Sequence, residues 1–216
     1  MSFTNVRCNC GQVRFRLAGS RPLSNVECLC VDCYARLDYC QSVGGPKVPE
    51  AIVKRKKGVR TSFYPNVMID VQGMDNVEFV KIHDEGSDTT MIAECCNTIV
   101  AFSNPDFNGN VVGVVPENAT VENEDDGTLL MRFHIKDWPE EDFKKIDDGL
   151  PAMWNGKNGL DGTKEPPFQK FFDHWLSIMD VAPPSLSGGV PFASLLAEMG
   201  NRVRSLDLPK RSRFST

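Results

Sequence analysis

A mainly β, antiparallel domain followed by a helical C-terminal extension is the fold class that this sequence predicts, and three observations predict it. Short segments rich in β-branched residues, some of them alternating apolar and polar, run as far as Asp137. Gly, Asn, Asp and Pro punctuate them. Beyond Asp137 the texture changes to apolar residues at helical spacing.

The first clear element is GQVRFRLAG, residues 11–19, which places Val13, Phe15 and Leu17 on one face and Gln12, Arg14 and Arg16 on the other before stopping at Gly19. Further strand candidates are AIVKRK (51–56), NVMIDVQG (66–73), VEFVKIHDEG (77–86), TTMIAECC (89–96), NTIVAFS (97–103) and VVGVVPE (111–117). TLLMRFHIKD (128–137) follows the acidic turn ENEDDG and closes the series. PEEDFKKIDDGLP (139–151) then predicts a short helix with acidic residues at its N-terminal turn, and residues 154–167 a loop rich in Gly and Asn. FQKFFDHWLSIMD (168–180), with Phe168, Phe171, Phe172, Trp175, Leu176 and Met179 at helical spacing, and PFASLLAEMGNRV (191–203) predict two more helices. The organisation expected is a β domain over 1–151 and a helical extension over 152–216 packed on it.

The 216 residues carry a formal net charge of −5, so bulk electrostatics recruit neither nucleic acid nor an anionic membrane. The basic runs KRKKGVR and KRSR read as a solvated turn and tail. No apolar run has spanning length, and MSFTNVRCNCGQVRF lacks the pattern of a secretory leader, which predicts a soluble, cytoplasmic protein. In that reducing setting eight cysteines crowded at short spacings favour metal binding over disulfides.

The cysteines stand at 8, 10, 28, 30, 33, 40, 95 and 96. In an extended segment, Cys8 and Cys10 leave the same face and can grip one ion, with Cys95 and Cys96 as the obvious supply of further ligands. On a regular strand, adjacent Cys95 and Cys96 point to opposite faces, so using both demands a bend or bulge. Cys28, Cys30 and Cys33 form C-x-C-x-x-C, three thiolates that leave a fourth position open, as in a catalytic zinc site, unless Cys40 or another residue closes it into a staple. Spacing alone leaves both readings open. Taken alone, Cys40 reads as an ordinary buried thiol. His83 is expected at the surface of a strand end, His134 toward the interior. Neither a phosphate-binding glycine loop nor a serine nucleophile elbow is present.

CNCGQVRF, CLCVDC and ECCNT in that order, closed by FHIKDW and DDGLP, resemble the glutathione-dependent formaldehyde-activating enzyme family, which includes the centromere protein V type domains. The resemblance spans residues 7–151. It implies a zinc-stabilised β-tent (Mss4-like) fold with one or two zinc ions. Cys8 and Cys10 with Cys96 would hold a structural zinc, and Cys28, Cys30 and Cys33 a catalytic one. Ala93 stands where the family has the first thiol of its later pair, so either Cys95 supplies that ligand or the structural site is remodelled or absent. Asn97 stands in place of the family's Gly, and the Arg and Gly common after the second motif are replaced in CYARLDYC.

What the resemblance implies about function is a zinc-dependent carbon–sulfur lyase acting on a thiol adduct or a small electrophile. In the family's namesake chemistry, glutathione adds to formaldehyde to give S-hydroxymethylglutathione. The partner expected is a small molecule, glutathione or another thiol, with no nucleic acid and no membrane; no oligomeric state is implied. Two alternatives stand beside this: a non-catalytic zinc-binding interaction module, and a tailoring enzyme of small-molecule metabolism that keeps the zinc without glutathione.

Overall fold

The computed structural model describes residues 2–54, 56–122, 128–137, 149–153 and 166–208. Over these the chain is mainly β, with mixed sheets and few helices. A four-stranded sheet runs in the order β10 (Thr120–Glu122), β1 (Phe3–Arg7), β2 (Arg14–Ala18), β5 (Met68–Gln72). At the centre of a nine-stranded sheet lie β3 (Ser24–Cys28), β4 (Val59–Pro65), β9 (Val111–Val114), β8 (Thr98–Ser103), β7 (Thr89–Ala93) and β6 (Val77–Lys81), in that spatial order. Beyond β3 come β11 (Met131–Phe133) and β12 (Ala152–Met153), and beyond β6 comes β13 (Arg204–Ser205).

Alternation along β4 explains how one sheet serves two cores. Phe63 packs with Val26, Phe102, Phe107 and Phe133 on one face, and Tyr64 packs with Phe15, Met91 and Val112 on the other. The four-stranded sheet covers the second face, so Val13, Phe15 and Leu17 are buried, as their alternation predicts. Two helices cover the first face: α1 (Val31–Ser42) and α3 (Pro166–Asp180).

Several expectations need correction. The sheets are not wholly antiparallel: β11 runs parallel to both β3 and β12, and β13 parallel to β6. Parallel neighbours require a long crossover, and β11 returns beside β3 only after most of the β domain has intervened. AIVKRK is no strand, because Glu50–Val53 forms a short helix, α2, that buries Ile52. Strands β3 and β4 escape periodicity because polar residues sit buried along them. Ser62 donates to Asn25 Oδ1 at 2.6 Å, and the Glu27 carboxylate accepts from the Gly58 N–H at 2.8 Å and from Arg132 Nε at 2.6 Å. Each partner is distant in sequence, so no local pattern announces the pairing. Helix α1 is likewise unannounced; it buries Tyr34, Leu37 and Cys40 at helical spacing.

Both C-terminal helices expected from sequence are present, as α3 and α4 (Phe192–Glu198). The helix expected over 139–151 and the loop over 154–167 lie almost wholly outside the described residues. The segment from residue 152 onward is not helical alone: it adds β12 and β13 to opposite edges of the large sheet and buries Phe192 edge-to-face on Phe79, 5.4 Å between centroids. Among the described residues no helix is long and apolar enough to cross a membrane.

Candidate metal centres

Cys8, Cys10, Cys95 and Cys96 come together, with their sulfurs within 4.8 Å of one another. Two hairpin turns deliver them. Cys8 and Cys10 lie in the turn between β1 and β2, not in an extended segment; the Gly11 N–H donates to the Cys8 oxygen at 3.0 Å, and the Val13 N–H donates to Cys8 Sγ at 3.3 Å. Cys95 and Cys96 lie in the turn between β7 and β8, which removes the opposite-face problem of a regular strand. Asn97 adopts φ +51° to close that turn, a left-handed conformation that asparagine tolerates.

Separations of 3.5 Å for Cys8–Cys10, 3.2 Å for Cys10–Cys95, 3.8 Å for Cys8–Cys95 and 4.0 Å for Cys95–Cys96 bracket the sulfur spacing of about 3.8 Å that a tetrahedral ion with 2.3 Å metal–sulfur bonds sets. The four sulfurs therefore fit one metal ion. Their acidities are pulled apart: N–H donation from the Gln12 backbone and hydrogen bonding with Cys95 lower Cys10 to about 7, whereas burial pushes Cys8 and Cys95 up. Thr98 supports both turns, its Oγ1 accepting from the Asn9 N–H at 3.1 Å and lying 3.1 Å from Cys96 Sγ.

The second cluster is local. Cys28 ends β3, Cys30 is the N-cap of α1 and accepts from the Cys33 N–H at 3.2 Å, and Cys33 lies in the helix's first turn. Cys28 lies 3.3 Å from both Cys30 and Cys33, so these three sulfurs also fit one ion, with no fourth cysteine, histidine or carboxylate joining them among the described residues. Hydrogen bonding with Cys28 and Cys30, with the Arg36 guanidinium beyond, holds Cys33 well below the ordinary thiol range. Cys28, the partner that keeps its proton, is pushed well above it. The helix N-terminus favours the same thiolate.

Arg36 is a buried residue that sequence reasoning missed. Only 2% exposed, it pairs with Asp88 at 3.0 Å, and its guanidinium lies 5.0 Å from the Phe102 ring centroid. The opposite end of α1 meets the turn that carries Cys95 and Cys96, where Asn97 Nδ2 donates to the Val43 oxygen at 2.7 Å. Cys40 belongs to neither cluster; it is wholly buried in the core, and burial pushes its thiol up to about 12.

The three-thiol cluster opens on a cavity of about 390 Å³. Phe63, Phe107, Phe133 and Trp175 form its apolar wall, with Trp175 set edge-to-face against Phe63 and Phe133 at 4.8 Å each. Trp175 thus covers the cavity while also packing on the core. Phe102 reaches the wall because Gly113, its partner on β9, has no Cβ to strike the ring.

Polar side chains ring the cavity: Asp32, Asp88, Asn104, Asp106, His134 and Asp137. His134 adopts φ +59°, turning the chain out of β11 so that Asp137 Oδ2 can accept from the Val31 N–H at the start of α1, 3.4 Å away. His83 is not a surface residue but is mostly buried, its Nε2 3.3 Å from Asp32 Oδ1. Asp88, Asn104 and Asp106 escaped sequence reading because they sit beside strand ends with no pattern of their own. Compared with protein-family models, curated proteins and solved structures, the chain finds no match.

Proposed function

We propose that the chain is a zinc-dependent carbon–sulfur lyase-like enzyme that acts on a thiol adduct or a small electrophile at Cys28, Cys30 and Cys33, and that Cys8, Cys10, Cys95 and Cys96 hold a structural zinc. The observation that carries this is the difference in donor number: four thiols in one cluster, three in the cluster that faces the cavity. The cysteine order and the paired sheets support a zinc-stabilised β-tent (Mss4-like) fold and membership of the glutathione-dependent formaldehyde-activating enzyme family.

Zinc bound by the three thiolates supplies a Lewis acid that makes a substrate thiol more acidic or polarises a carbonyl oxygen. The chain's own residues do the rest. The aromatic wall confines the reactants beside the three thiols, which raises their effective concentration. His134, the histidine on the cavity wall among the described residues, is placed to exchange the proton that a thiol loses on addition and regains on cleavage. Arg36 holds Asp88 and the start of α1 in place without reaching the cavity.

The test is native mass spectrometry of the purified protein and of Cys30→Ser, with and without an added thiol. Two zinc ions, one lost in the variant and able to take up the thiol, is the expected result. A single zinc that survives Cys30→Ser and ignores thiols would overturn the proposal. Turnover that persists in metal-depleted Cys33→Ser protein would do the same.

A further inference from the structure

We propose that the cavity selects a small organic cation, an apolar body carrying one amine, and disfavours an anionic thiol such as glutathione. The inference rests on the reading that this cavity is the substrate site. Its first support is charge. Among the described residues lining the cavity are Asp32, Asp88, Asp106 and Asp137, and neither a lysine nor an arginine. The nearby guanidinium of Arg36 is 2% exposed and committed to Asp88, so among the described residues a substrate carboxylate has no free lysine or arginine to meet there.

The metal does not reverse that sign, because three thiolates around one divalent ion keep a net negative charge. Two of the other carboxylates have partial partners: Asp137 accepts the Val31 N–H and Asp32 faces His83. The exposed Asp106 uses only its backbone N–H, donated to Asn104 Oδ1 at 2.8 Å, and its carboxylate makes no ion pair among the described residues. It is therefore a free anionic anchor at the rim.

A second, independent observation lies on the wall. Thr61 is 2% exposed and lines the cavity, and its hydroxyl makes no hydrogen bond among the described residues. It sits two residues before Phe63, on the same face of β4. The hydroxyl is accessible from the cavity rather than sealed in the core, so a ligand there can pair with it, and an ammonium N–H is a fitting donor. The aromatic rings beside it attract cations through their π faces. At about 390 Å³ the space suits a small ligand.

Benzyl probes of similar size that differ in charge test this on the zinc-loaded protein. Isothermal titration compares benzylamine with phenylacetate, which needs no thiol chemistry. Benzylamine is expected to bind at least about fivefold tighter, with that preference shrinking about threefold in Asp106→Asn and benzylamine binding also weakening in Thr61→Val. Phenylacetate binding as tightly as benzylamine would overturn the proposal, as would binding of neither, or a preference unchanged in Asp106→Asn with benzylamine binding intact in Thr61→Val. Cysteamine and mercaptoacetate, titrated into cobalt-substituted protein and followed by the thiolate-to-cobalt absorption band, separate the two claims. If neither perturbs the band, the thiol chemistry fails, and the charge preference is still judged by the first pair.

Discussion

The two thiol clusters are made of the same atoms and differ in how the chain delivers them. Cys8 and Cys10 come from one hairpin turn and Cys95 and Cys96 from another, more than eighty residues on, so an ion held there would tie the four-stranded sheet to the nine-stranded one. Cys28, Cys30 and Cys33 come from one strand end and the helix that follows, so an ion held there ties together only what the chain already joins. Closing a long loop restricts the unfolded chain far more than closing a short one. On the proposed reading, the difference would separate a staple, which stabilises, from a local platform whose remaining position is left for chemistry.

The largest effect should therefore come from the long-range cluster. Cys8→Ser is expected to lower stability by about 4 kcal/mol, and Cys33→Ser by no more than about 1 kcal/mol. Urea unfolding of both variants measures this, and equal losses would erase the distinction between staple and platform. Arg36→Met sharpens the comparison from the platform side. It leaves Asp88, a third exposed and still accepting from Asn104 Nδ2, without its buried partner, so a loss of about 2 kcal/mol is expected, together with weaker metal retention at the three-thiol cluster alone. Metal-release kinetics with a chelator would show whether the other ion is spared.

Trp175→Ala should cost about 2 kcal/mol, because the edge-to-face contacts to Phe63 and Phe133 are lost. Metal content should stay unchanged while thiol affinity at the cavity falls, which a binding titration reads directly. The smallest effect belongs to Cys40→Ala, about 1 kcal/mol, with both ions retained in the native mass spectrum. Loss of an ion in that variant would bring Cys40 into a site from which its place in the core excludes it.

The grouping of the cysteines was legible because thiols that share a turn or a helix start stand at short, fixed spacings, and those spacings survive in the linear chain. Strand β2 was legible for a related reason: one face is buried and the other faces solvent, so burial is written at period two. Strands β3 and β4 were hidden, since Asn25, Glu27 and Ser62 are buried polar residues whose partners lie far off in sequence. The acidic ring was hidden too, because Asp32, Asp88, Asp106 and Asp137 lie on four separate segments.

The sequence by itself determined which thiols act together within each short motif and that the chain is mainly β, since both depend on spacing over a few residues. Only the tertiary structure decided that Cys95 and Cys96 share a turn facing Cys8 and Cys10, that β11 runs parallel to β3, and that the three-thiol cluster borders a cavity lined by aromatic rings and carboxylates. Those outcomes depend on contacts between segments tens of residues apart, where packing and pairing, not local pattern, set which groups meet.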